Sequence, residues 1–211
     1  MKAASATVAA ANRFERRRER TRRQILSAAT RVLAEKGLHR TKISDIAAAA
    51  DVGVGTFYLH FPDKEALFDA VVEDTVARLK ATVDAARAKG KDARDQMIAA
   101  NVAFFRFAGE NREVFRIVFG HADAHNALIR RAQGLFIADI EKTVRAGVTA
   151  GLFAALPPAL VAQAVVGMAT QMLSWWTEHP SVPIETLIET TTTLALHGLA
   201  PAGAAKGASN G

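Results

Sequence analysis

Apolar residues recur at helical spacing through most of the chain, and no stretch alternates as a half-buried strand would. Ile25, Leu26, Ala29, Val32 and Leu33 share one face of a first helix, which Gly37 is placed to end in a left-handed cap. A short second helix carries Ile46, Ala47 and Ala50, with Thr41 and Ser44 as possible caps and Asp45 in its first turn. Asp51-Val52-Gly53 then breaks the pattern, since Asp tolerates left-handed backbone and Gly takes it freely. A third short helix runs through Thr56, Phe57, Tyr58, Leu59 and His60. It ends at Phe61-Pro62, because the residue before a proline is biased out of the helical region. Asp63 is placed to cap the next helix.

From Lys64 onward the pattern predicts long helices. Leu67, Phe68, Val71, Val72, Val76, Leu79 and Val83 form one stripe up to Gly90. A fifth helix is expected over about 92–108, a sixth over 112–119 and a seventh over about 123–150. An eighth should start after Pro157-Pro158, with Pro158 suited to its first turn, and stop near His179-Pro180. A ninth should cover about 183–199. The expected fold is all-α, with about nine helices: a three-helix N-terminal unit over 13–63 and a larger helical domain over 64–199. Residues 1–12 are read as a disordered lead-in, and the Gly/Ala/Ser-rich residues 200–211 as a disordered tail.

Charge changes this picture. Residues 1–64 hold 13 Lys+Arg and 6 Asp+Glu, a net of +7; residues 65–211 hold 14 and 15, a net of −1, which together give the chain's +6. The positive excess therefore sits in the first third, as in a basic module that meets a polyanion. Arg13 to Arg23 alone contains seven arginines and two glutamates. That run is either a solvated charged face or an arm adding salt-dependent, sequence-independent affinity for nucleic acid. The chain has no cysteine, which excludes disulfides, thiolate metal sites and cysteine nucleophiles and fits a reducing cytoplasm. The Ala-rich start is too weakly apolar for a secretory signal. Residues 146–177 carry no charge, but Pro157-Pro158 divides them, and Gln163, Thr170, Gln171 and Ser174 interrupt the second half. That suits a helix buried at a protein interface better than a membrane span.

Three helices within 13–61, the last two short and joined by a tight turn, outline a helix-turn-helix. In such a unit one helix braces on the DNA backbone and the next lays its N-terminal residues along base edges. Ile25, Ala29, Ile46, Ala47, Val52, Phe57 and Phe61 are its expected core. The stretch from Lys42-Ile43-Ser44-Asp45-Ile46-Ala47 through Val52-Gly53-Val54-Gly55-Thr56-Phe57-Tyr58-Leu59-His60-Phe61-Pro62-Asp63-Lys64-Glu65-Ala66-Leu67 resembles the DNA-binding signature of the tetracycline-repressor-like (TetR) family. The match covers about residues 20–70. Two positions depart from it: Asp51 stands where glycine is usual and sets a negative charge near DNA, and Lys42 stands where a capping Ser or Thr is common.

The resemblance implies that Val54, Gly55 and Thr56 open a recognition helix and that Tyr58 and His60 reach phosphate or base edges. It implies that Lys42 and Ser44 touch phosphate, as does Lys64 with help from its helix dipole. Tyr58 alone could equally be a core aromatic, but Phe57 and Phe61 already take the inward positions. The resemblance further implies an effector-binding and dimerisation domain over 64–199 and a homodimer formed by the last two helices. Such a dimer presents its recognition helices about 34 Å apart to a palindromic operator.

The aromatic middle of the chain has two readings, core packing or an effector pocket for a small hydrophobic or aromatic molecule. The pocket candidates are Phe104, Phe107, Phe115, Phe119, Met168, Gln171, Met172 and Trp175, with Asn101 and Gln133 as further polar groups. His121 and His125, four apart around Asp123, form either an exposed helix junction or a metal pair. The junction is preferred, and no metal or cofactor is expected. No nucleophile elbow, zinc-protease motif, phosphate loop or dinucleotide fingerprint occurs, so no enzyme is expected. The function that emerges is a cytoplasmic, sequence-specific transcriptional regulator, a repressor released from its operator when an effector shifts the fourth helix. The alternative is a non-specific, nucleoid-type DNA-binding protein.

Overall fold

The computed structural model describes residues 2–120 and 122–200, with side chains for all of these except residues 2–13, 38, 39, 120 and 122–128. Among the described residues there are nine helices and no strand. They are α1 (Lys2–Arg40), α2 (Ile43–Ala49), α3 (Val54–Tyr58), α4 (Lys64–Arg87), α5 (Ala93–Glu110), α6 (Arg112–Gly120), α7 (Ala122–Thr149), α8 (Pro158–Glu178) and α9 (Ile184–Gly198). No helix among them is long and apolar enough to cross a membrane. Helix α1 begins at Lys2, within the stretch expected as a lead-in. Gly37 takes a φ of +74°, as its cap role predicts, but the helical run resumes beyond it to Arg40.

The chain forms two compact units, residues 1–74 and 75–211. Their division falls inside α4, not before Lys64. Leu67, Phe68, Val71 and Val72 belong to the first unit and are buried. An unbroken apolar stripe carries no mark of such a division, so the sequence alone did not locate it.

The first unit closes its core with Ile25, Ala29, Leu33, Ile46, Ala47, Phe57 and Phe61, all nearly inaccessible. Phe57 and Phe61 meet at 5.9 Å between ring centres. Val52, expected in this core, is half-buried.

The second unit has three apolar clusters. Ala93, Met97, Val144, Phe153, Val161 and Leu199 form one, and Leu79, Val83, Phe107, Phe136 and Val166 another. Phe105, Ala108, Leu173, Trp176 and Leu187 form the third. Polar ties fix the packing between helices. The Asn101 amide donates to Thr191 Oγ1 at 2.9 Å and Thr192 Oγ1 at 2.8 Å, joining α5 to α9. Arg112 donates to the Trp176 carbonyl at 2.6 Å and lies 4.2 Å from that indole's centre, so one cation closes the end of α8. Asp92 caps α5 by accepting from the Asp95 N–H at 2.9 Å.

Candidate nucleic-acid interface

The helix-turn-helix is built from local rules. Helix α2 is capped by Lys42, whose ammonium offers no acceptor, so only half of a capping box forms: the Lys42 N–H donates to Asp45 Oδ2 at 3.1 Å. Neither Thr41 nor Ser44 takes the expected cap. Thr41 is buried and its hydroxyl donates to the Gly37 carbonyl at 2.7 Å, while Ser44 lies exposed within α2. Asp45 also pairs with Lys36 at 3.1 Å. The Lys42 backbone donor and the Lys36 ammonium together hold its carboxyl below the usual carboxylate range.

The turn after α2 is a Schellman motif. The Val52 N–H donates to the Ala47 carbonyl at 3.0 Å and the Asp51 N–H to the Ala48 carbonyl at 3.1 Å. Asp51 takes the left-handed backbone at φ +53°. Gly53 does not need its freedom: it caps α3 in an extended conformation at φ −68°. The Asp51 carboxylate, expected near DNA, lines an open groove of about 760 Å³ with Arg16, Arg20, Arg23 and Arg31 of α1.

Helix α3 turns one side inward and leaves the other to solvent. Phe57 is wholly buried, whereas Val54 is 44% and Tyr58 52% exposed. Tyr58 therefore is no core aromatic, although its ring meets Phe57 edge-on at 5.5 Å. Gly55 is exposed and Thr56 half-buried. A methyl group added at Gly55 would meet nothing within 4 Å. His60 is half-buried, and burial together with the charges of Arg18 and Arg22 depresses its pKa, against a smaller opposing effect of Glu19. Leu59, which the sequence did not single out, is the most exposed of these side chains at 74%. The start of α4 is capped by Asp63, which accepts from the Ala66 N–H at 2.7 Å. The Lys64 ammonium reaches back to the Thr41 carbonyl at 3.4 Å, tying α4 to the residue just before Lys42.

The expected effector residues are divided. Phe104, Phe115, Phe119 and Met172 pack on one cluster, and Phe107 is buried in the neighbouring one. Met168 is half-buried. Gln171 and Trp175 instead lie exposed on α8, with the indole stacked on His179 at 3.9 Å. Gln133 is engaged with Thr170 at 3.2 Å and Asn101 with α9, so neither is an open polar group. Among the described residues no group of three or more His, Asp or Glu is arranged to hold a metal. The side chains of His121 and His125 fall outside the described residues.

Comparison with known proteins agrees with this geometry. The family described as "Bacterial regulatory proteins, tetR family" matches residues 25–71, and that described as "Tetracyclin repressor-like, C-terminal domain" matches residues 90–199. The HTH-type transcriptional regulator YhgD of Bacillus subtilis is 24% identical over 168 residues, covering 77% of this chain and 88% of that protein. Among solved structures, the fatty acid degradation regulator FadR from Bacillus halodurans superposes with a TM-score of 0.72 at 23% identity, covering 83% of this chain and 94% of the other. FadR from Bacillus subtilis, solved in complex with stearoyl-CoA, gives a TM-score of 0.71 at 19% identity over 83% and 98%. With both its DNA-binding and its C-terminal region matched, the chain belongs to the TetR family of bacterial transcriptional regulators and is not an enzyme.

Proposed function

We propose that the protein is a cytoplasmic, homodimeric repressor that holds a palindromic operator and releases it on binding a small hydrophobic effector. The observation that carries the DNA-binding part is the outward row of α3. Val54, Gly55 and Tyr58 are exposed above a core closed by Phe57 and Phe61, with exposed Lys42 and Ser44 at the start of α2. Val54, Gly55 and Thr56 read base edges in this proposal, while Lys42, Ser44, Tyr58, His60 and Lys64 position the backbone.

The dimer is supported by α8. Leu160, Ala164, Gly167, Gln171 and Trp175 are all exposed at spacings of three or four, a single uncharged stripe. Small residues at its centre allow a second helix to approach closely. Leu194 lies exposed on α9 as well. The effector class is supported by the aromatic lining of Phe104, Phe115, Phe119 and Met172, and by a fold shared with a regulator solved with an acyl-CoA. The effector acts through its differential affinity for the DNA-competent and DNA-released states of α4.

A mobility-shift titration of the protein on its own upstream DNA, against a scrambled duplex at near-physiological salt, tests this. Preference by about 10³ or more is expected of a specific regulator. Equal binding to both duplexes would instead indicate a non-specific DNA-binding protein. Adding long-chain acyl-CoA to the specific complex then tests the effector class: release is expected, and tighter binding would make the chain an effector-dependent binder.

A further inference from the structure

The arginines of α1 fall on two faces that differ chemically. Arg16, Arg20, Arg23, Ser27 and Arg31 follow at spacings of four, three, four and four, so they share one side of the helix. This side lines the groove, together with Glu15, Glu19 and Asp51. Of its four arginines only Arg23 has a carboxylate partner, Glu19 at 2.9 Å, and Arg31 reaches the Ala49 carbonyl at 3.4 Å, but three carboxylates line the same groove. Arg18 and Arg22 lie on the opposite side, in line with the buried Ile25 and Ala29.

That second side is directed at the end of α3. The Arg22 guanidinium lies 5.3 Å from the centre of the Phe61 ring. Arg18 and Arg22 both bear electrostatically on His60, two residues beyond the exposed Tyr58. Among the described residues neither arginine forms an ion pair, although Glu19, paired with Arg23, also bears electrostatically on Arg22. Two guanidinium groups without an ion-pair partner thus adjoin the outward row of α3.

We infer that Arg18 and Arg22 are phosphate-contacting residues that extend the DNA surface of α3 onto α1, while the Arg16–Arg20–Arg23 side takes no part. The inference rests on the reading of α3 as the recognition helix. Charge and direction separate the sides: the groove side sets three carboxylates among its four arginines, whereas the other side is directed at the end of α3. Guanidinium contacts to phosphate are independent of sequence, so they strengthen operator and random duplex alike.

The test compares full-length variants on operator and on scrambled duplex across a salt series. R18Q/R22Q is expected to lower the magnitude of the log-affinity against log-salt slope by about 2, equally on both duplexes. The specificity ratio should be unchanged, and R18K/R22K should restore the slope. R16Q/R20Q should leave the slope as in the parent. A thermal melt of each variant, with the slope taken on the folded protein, separates lost contacts from lost folding. Tyr58→Ala serves as the reference for the α3 reading. If Tyr58→Ala weakens binding while R18Q/R22Q leaves the slope unchanged, the inference is overturned and the α3 reading stands. If neither has an effect, both fall. An equal loss in R16Q/R20Q would overturn the division into two sides.

Discussion

The Lys80 ammonium of α4 lies 2.8 Å from the Asp139 carboxylate of α7. Asp139 also receives Arg87 at 3.1 Å, and both cations meet Asp84 on their own helix. Burial raises the Asp139 pKa, but the ion pairs with Lys80 and Arg87 outweigh it and hold the carboxyl below its ordinary value. Burial likewise opposes the Lys80 charge, and Asp139 and Asp84 overcome it, raising that pKa.

Asp139→Ala should therefore destabilise the protein by about 1–2 kcal/mol, between exposed and fully buried ion pairs. The sign with pH follows from linkage. The Asp139 contribution is present above the unfolded carboxylate value and lost as pH falls through the depressed folded one. The Lys80 contribution is present below the unfolded ammonium value and lost as pH rises through the raised one. Thermal melts between pH 3 and 8 should show parent and variant converging at the acid end. A constant gap would remove the ion pairs as the cause.

Gly55 sits in a five-residue helix without positive φ and with open space where a methyl would stand. The fold gives no reason for glycine there. Gly55→Ala should raise stability by up to about 1 kcal/mol yet weaken operator binding, because the methyl enters the space the base edges would take. A stabilised variant with parental affinity would place Gly55 away from DNA.

Gly147 presents the opposite case. A methyl group there would lie 2.1 Å from a ring carbon of Phe153, and Phe153 is itself buried. Gly147→Ala should cost about 1–3 kcal/mol through overpacking, read as a lower denaturation midpoint. Phe153→Leu in the same chain should recover part of it. Additive losses would mean that the two residues do not compete for space.

His60 has a depressed pKa, since burial, Arg18 and Arg22 all disfavour its proton. A phosphate brought against it, as proposed above, would favour that proton. Affinity should therefore rise as pH falls through the interval between the free and the bound pKa. His60→Gln should flatten the dependence between pH 8 and pH 5.5. A parental slope in His60→Gln would assign the proton to another group. Stability moves the other way: the unfolded chain takes the proton first, so acid weakens the fold at this residue.

The helix-turn-helix was legible because its signals are local. Asp51 in the left-handed turn, Asp63 as a cap and Phe57 and Phe61 inward each follow from a few adjacent residues. The cap of α2 was not legible, since Lys42 fills it through its backbone while Thr41 turns back to Gly37. In the second unit, periodicity identified which residues share a helix face but not what covers that face. Gln171 and Trp175 read as pocket residues for that reason, and α8 leaves them exposed. Asn101 and Gln133 read as open polar groups because their threonine partners lie on other helices, 37 to 91 residues away in the chain.

The carboxylates of Glu15, Glu19 and Asp51, one of them paired with Arg23, leave α1 electrically lopsided, because they line the groove side and not the side of Arg18 and Arg22. A lopsided cation rotates in the field of a polyanion before it touches it. A larger fraction of collisions then begins with α3 foremost, and the association rate gains with no contact added. Removing the Glu19 carboxylate would raise the net charge yet blur that orientation. Glu19→Gln should therefore speed encounter less than its extra positive charge alone would give, a difference that stopped-flow mixing at low salt can measure.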